Sequence, residues 1–124
     1  MSPENSQKLL EIYPELFSHP RELEPLSLFG FECDDGWFEL LKECITAIKK
    51  YSEKEKILVH AIQVKEKYGS LRFYTKYCYD PIDEIIEVAK QKSSITCEEC
   101  GAPGKMTKRG GWLQTLCDKC HDRT

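Results

Sequence analysis

Residues 57–79 read ILVHAIQVKEKYGSLRFYTKYCY, and the period inside this stretch decides the fold class. Ile57 to Val64 is rich in β-branched residues, Leu71 to Tyr79 alternates apolar and polar side chains, and Tyr68-Gly69-Ser70 between them is turn chemistry. Two such runs joined by a short glycine-containing link predict an antiparallel β-hairpin. A strand points successive side chains to opposite faces. With Ile62, Val64, Leu71 and Phe73 inward, Gln63, Lys65, Arg72, Tyr74 and Lys76 share the outer face.

On either side of the hairpin the period turns helical. Trp37, Leu40, Leu41, Cys44, Ile45 and Ile48 recur at the spacing of one helix face, so a helix over Trp37–Tyr51 is expected. Asp34-Asp35-Gly36 opens it, with both carboxylates at the positive end of the helix dipole. Ser52 to Lys56 reads as a polar break. After the hairpin, Asp80-Pro81 caps a helix over Pro81–Lys92, in which Ile82, Ile85, Ile86 and Ala89 form one face. Ser93-Ser94 reads as a hinge. Near the start, Ser2-Pro3-Glu4 is a capped helix opening. Pro14 ends that helix or restarts it into Glu15-Leu16-Phe17, and an irregular, proline-bearing connection follows over residues 18–27.

Past the hinge stand two C-x-x-C pairs, Cys97 with Cys100 and Cys117 with Cys120, sixteen residues apart. That spacing suits a structural zinc site. Each pair presents two thiolates from one turn, and two pairs complete a tetrahedral S4 shell around Zn2+. Gly101 follows the first pair, where positive φ lets backbone N–H groups approach the sulfurs. The second pair ends Cys120-His121, and either residue suits zinc as the fourth ligand. Four protein ligands leave no open position for substrate, so the metal folds the tail. Trp112 is expected in the small core over that metal, and Lys105, Lys108 and Arg109 form a weak basic loop beside it.

The outer hairpin face has two readings. Cations, an amide and an aromatic ring in a ladder are suited to hold phosphates and stack on a base. The plain reading is a solvated sheet face. Glu32, Asp34, Asp35 and Glu39 form an acidic cluster that could hold Mg2+ for phosphoester chemistry, although helix capping and solvation explain it without a metal. Nothing pairs the cluster with a nucleophile, so no catalytic residue is assigned. His60 is expected inward, partly buried and hydrogen-bonded. His19 belongs to no constellation, and Cys33, Cys44 and Cys78 read as small buried apolar residues.

The 124 residues suit one domain with an appended module, 1–94 and 95–124, and the net charge of −3 carries no global nucleic-acid signature. Residues 1–56 hold seven Lys/Arg against twelve Asp/Glu, so the acidic excess lies in the first half. An acidic half and a basic hairpin on one chain could pair between subunits of a homodimer. With no signal-like start, no membrane-length apolar run and unpaired thiols, a reducing cytoplasm is expected.

Three segments together carry a resemblance: FGFECDDGW (29–37), QVKEKYGSLRFY (63–74) and CEECGAPG (97–104). The combination resembles a group of small phage and bacterial zinc-ribbon proteins in which a GDGW helix start, a QVKEKFGTLRFY hairpin and a C-terminal zinc ribbon recur. It covers roughly residues 13–121, and Cys33-Asp34-Asp35 stands where a glycine–acid pair is more usual. The resemblance implies a phage-type accessory protein in a bacterial host cell, and no mechanism. The expected architecture is α+β: an antiparallel hairpin or small sheet packed by helices, closed by a zinc ribbon. The expected function is non-enzymatic binding of a host protein or a nucleotide-like ligand, with counter-defence the role consistent with the phage-type origin that the resemblance implies. A nucleic-acid-binding zinc ribbon and a metal-dependent phosphoesterase using Asp34 and Asp35 stand as alternatives.

Overall fold

The structure, a computed structural model, describes residues 1–18, 30–76 and 79–122. His19, Cys78 and most of the expected irregular connection lie outside the described residues. Among the described residues, five α-helices and two small sheets make the fold α+β. Helix α1 (Pro3–Ile12) opens as its sequence predicts, with the Ser2 hydroxyl accepting from the Asn5 N–H at 3.2 Å, and Pro14 restarts the chain as α2 (Pro14–Phe17). Then come β1 (Phe31–Glu32), a 3-10 turn over Asp35–Trp37, and α3 (Phe38–Glu55). Helix α3 runs through the expected break at Ser52, which is buried, and stops at Lys56 in the left-handed region (φ 55°). Tertiary packing overrides the weak helix propensity of that serine.

Strands β2 (Ala61–Lys67) and β3 (Ser70–Thr75) form the antiparallel hairpin. Strand β1 adds to it in parallel, Phe31 opposite Val64 and Glu32 opposite Lys65. A two-residue strand gives no periodic signal, so the sequence alone does not reveal it. Tyr68 (φ 54°) and Gly69 (φ 83°) both take positive φ at the turn, which suits the twist of a hairpin.

The inner face departs from simple alternation. Val59 and Ala61 are buried, and so is Val64, while Ile62 is 42% exposed and Leu58 is also outside. The register shifts between Ala61 and Gln63. An extra residue in one strand reverses the facing of everything before it, so Ile62, expected inward, points out and Leu58 with it. His60 is half-buried, and its Nδ1 lies 2.9 Å from the Ser18 carbonyl oxygen.

One core unites Trp37, Leu41, Ile45 and Ile48 of the 3-10 turn and α3 with Val64, Leu71 and Phe73 of the sheet. Ile82 and Ala89 of α4 (Asp80–Ser93) join it. Ser93 is no hinge: its buried hydroxyl accepts from the Leu71 N–H at 3.0 Å and donates to the Lys90 carbonyl at 2.6 Å. Strands β4 (Lys105–Arg109) and β5 (Trp112–Leu116) pair antiparallel, and α5 (Asp118–Asp122) ends the described chain. Among the described residues, no helix is long and apolar enough to cross a membrane.

Candidate metal centre and binding face

The first knuckle is a tight turn. Cys97 N–H donates to the Ala102 carbonyl at 2.7 Å, Gly101 N–H donates to the Cys97 carbonyl at 2.9 Å, and Gly101 takes φ 84°. The second lies where β5 passes into α5, with His121 N–H donating to the Cys117 carbonyl at 2.9 Å. The glutamate between the knuckle cysteines, Glu98, donates its N–H to the Thr115 carbonyl and so pins one knuckle beside the other. The result is a cluster: the sulfurs of Cys97, Cys100, Cys117 and Cys120 all lie within 4.8 Å of one another.

The donor set fits a metal ion. A tetrahedral S4 site with metal–sulfur bonds near 2.3 Å places its sulfurs about 3.8 Å apart, and Cys100 and Cys117 stand at 3.6 Å. That is far beyond the ~2.05 Å of a disulfide. Burial raises the Cys97 thiol, but the backbone N–H groups of Cys117, Cys100 and Glu99 outweigh it and bring it down to about 7. Cys120 is pushed up to about 12 by burial and by sharing hydrogens with the other three cysteines. Sulfurs packed this closely cannot all ionise by themselves, and a cation is what lets them do so. His121 stands outside the cluster. Its Nδ1 meets Asp122 and its Nε2 meets the Lys108 carbonyl, each at 3.2 Å, and these bonds raise its pKa.

The ribbon is keyed into the rest of the molecule at three turns. Gly36 N–H donates to the Glu98 carbonyl at 2.7 Å, and the Asp34 N–H donates to the Glu98 carboxylate at 3.1 Å. Trp37 Nε1 donates to the Thr96 carbonyl at 3.0 Å. The Thr115 hydroxyl, fully buried, donates to the Gly69 carbonyl at 2.7 Å. The helix start, the hairpin turn and the first knuckle singled out in the sequence therefore meet in space.

Gln63, Lys65, Arg72 and Tyr74 come together on the outer sheet face, as cross-strand pairs Gln63–Tyr74 and Lys65–Arg72. Lys76 lies one residue past the end of β3, its N–H donating to the His60 carbonyl. Glu32 joins the face from β1 and accepts from the Gln63 amide at 3.3 Å. Sequence reasoning missed Lys67, which shares the outer facing, and Tyr68 beside it at the turn; alternation carried one step further along β2 reaches the lysine. Arg72 Nε is buried and has no hydrogen-bond partner.

The acidic cluster is divided among structural tasks. Asp35 accepts from the Ser2 N–H at 2.8 Å and the Asn5 amide at 3.1 Å, and these bonds hold its carboxyl below the usual range. Neither Asp34 nor Asp35 caps α3 with its side chain, a correction to the expected capping role. Asp35 and Glu39 line an open groove of about 550 Å³, yet among the described residues the four cysteines are the only grouping with metal-ligand spacing. Cys33 and Cys44 are buried, each pushed up to about 12 chiefly by that burial, which leaves them unreactive thiols. Trp112 does not cover the metal: it is 76% exposed, because the small core there is filled by Leu116 and the ligands themselves.

Fold and site together define an α+β protein closed by a ribbon whose four clustered cysteines could hold a metal ion. Set beside protein-family models, curated proteins and solved structures, the chain matches none of them.

Proposed function

We propose that this is a zinc-stabilised binding protein whose outer sheet face takes an anionic, nucleotide-like ligand. All-thiolate, four-coordinate ligation favours Zn2+ over hard cations, and a closed shell serves folding, not turnover. The observation that carries the binding reading is the Lys65–Arg72 cross-strand pair. Neither residue has an ion-pair partner among the described residues, and Arg72 Nε is buried without an acceptor. The Lys65 ammonium and the Arg72 guanidinium are charged N–H donors of the kind that phosphate oxygens accept from. Tyr74, half-exposed beside them, offers a ring for a base.

ATP is the probe. Titration of the zinc-loaded chain with ATP is expected to give saturable binding that weakens with salt. Arg72→Ala or Lys65→Ala should weaken it about tenfold with unchanged zinc content. Absence of binding by ATP and by tripolyphosphate overturns the reading. The resemblance to phage proteins supports an accessory role during infection. That part fails if expression of the chain in a susceptible bacterium leaves phage growth unaltered.

A further inference from the structure

We infer that Cys100 and Cys117 are a modification site: hydrogen peroxide oxidises this pair to a disulfide that links the two knuckles and releases the metal. The inference rests on the zinc reading of the four cysteines and is independent of the sheet-face ligand.

The four sulfurs lie close together but are not equally reachable. Cys97 is fully buried and Cys120 is 4% exposed, whereas Cys100 is exposed and Cys117 half-buried. Each C-x-x-C pair therefore keeps one cysteine inside and offers one to solvent. The two that are offered come from different knuckles, and their sulfurs stand 3.6 Å apart, in van der Waals contact. A bound cation holds coordinating thiols deprotonated, and the thiolate is the form that peroxide oxidises. Cys33 and Cys44 are buried in the main core, away from this cluster.

The surroundings select the oxidant. Cys100 lines the open groove that also holds Asp35, Glu39, Glu43 and Lys92, so the lining carries three carboxylates against one ammonium. That ammonium is already engaged, at 2.5 Å from the Glu43 carboxylate. Such an approach repels anionic disulfides such as oxidised glutathione and admits a small uncharged hydroperoxide.

The Cys100 thiolate attacks one peroxide oxygen, the O–O bond breaks and hydroxide leaves, which makes Cys100 a sulfenic acid. The Cys117 thiolate then attacks that sulfur, forms the S–S bond and expels a second hydroxide. Each sulfur gives up one electron, peroxide takes both, and solvent protons turn the two hydroxides into water. Two of the four thiolates are then gone, so the tetrahedral shell is broken and the metal leaves. Ties between the knuckles that need no metal remain. Arg109 Nη2 pairs with Glu99 of the first knuckle at 3.1 Å, and its Nη1 donates to the Cys120 carbonyl of the second at 2.6 Å. With the disulfide added to these, the oxidised ribbon stays docked where Trp37 Nε1 meets the Thr96 carbonyl.

The test treats the zinc-loaded full chain with about a tenfold molar excess of hydrogen peroxide, reading released zinc with a metal-sensing dye and disulfides by non-reducing peptide mapping. Zinc release is expected in step with a Cys100–Cys117 disulfide, and dithiothreitol with added zinc should reverse both. Oxidised glutathione at the same concentration should act roughly tenfold or more slowly. Cys100→His keeps a fourth ligand that zinc accepts, so it should hold zinc and lose it to peroxide roughly tenfold or more slowly than the parent. Cys117→His should behave alike and serves as the second variant if one of the two does not fold. The near-ultraviolet signal of Trp37 should persist in the oxidised chain, and its loss would overturn the retained docking. A disulfide within either C-x-x-C pair or to any other cysteine would overturn the inference and leave the zinc reading standing. So would zinc lost without a disulfide, zinc retained under peroxide, or histidine variants as sensitive as the parent. Oxidised glutathione acting as fast as peroxide would overturn the choice of oxidant. A chain that holds no zinc before oxidant is added would overturn the zinc reading and this inference with it.

Discussion

At Gly36 a single hydrogen stands where any other residue would place a carbon 2.2 Å from the Cys97 carbonyl oxygen and 2.3 Å from that of Glu98. Both obstacles are backbone, so neither can swing aside. Gly36→Ala is expected to cost about 3 kcal/mol or more, at or beyond the usual range for overpacking, and to reduce metal retention, as read by urea unfolding and zinc content. Glu98 lies across the same contact. Burial raises its carboxyl to about 7, against the pull of the Asp34 N–H, and Asp34, Glu66 and Glu99 add to the rise. An acid raised from 4.5 to about 7 stabilises the fold fully below pH 4.5, and that contribution is lost as pH climbs through 7. Glu98→Gln keeps an oxygen for the Asp34 N–H and removes the ionisation. Melting temperatures of the zinc-loaded parent and variant between pH 6 and 8 should therefore diverge, the parent losing stability with pH relative to glutamine. Parallel curves would mean that Glu98 does not ionise in this window.

The hairpin turn shows how an element trades its own stability for what it presents. Tyr68 and Gly69 both require positive φ, and only the glycine is at ease there. Tyr68→Asn is expected to stabilise the chain by about 0.5–1 kcal/mol in urea titration, since asparagine tolerates this region. An unchanged midpoint would show that the ring's contacts offset its backbone strain. Ser93→Ala tests the start of β3, just past this turn. Removing its hydroxyl leaves the buried Leu71 N–H without an acceptor, an expected loss of about 1–3 kcal/mol. Hydrogen exchange at Leu71 would then rise ahead of its neighbours.

Across the whole molecule, the ribbon and the main body share contacts at Gly36, Trp37 and Gly69, while the ribbon's own buried apolar side chains amount to Leu116 and the cysteines. A piece with so small a core is expected to depend on a metal at the four cysteines for folding. Chelation is expected to lower the melting temperature by roughly 10 °C or more. It should also alter the near-ultraviolet signal of Trp37, whose indole N–H loses the Thr96 carbonyl. A chelated protein that melts like the parent would show that the ribbon stands without metal.

Features that depend on period and spacing were legible in the chain alone. The stripe from Trp37 to Ile48, the alternation from Leu71 to Tyr74, the serine cap at Ser2 and the two C-x-x-C pairs each carry a local signal that packing then follows. The sequence could not show events that turn on one residue's neighbours in space. The bulge at Ala61–Gln63 moved Ile62 outward, because the core accepts Ala61 and Val64 only if the strand gains a residue between them. Trp112 stands in solvent because four sulfurs and Leu116 already fill the space it was expected to occupy. Asp35 serves α1 instead of its own helix, since the Ser2 and Asn5 donors reach it first. The glycine of the helix start, the turn of the hairpin and the first cysteine knuckle meet in one junction only in the folded chain, because contacts between residues 46 to 64 positions apart leave no period in the sequence.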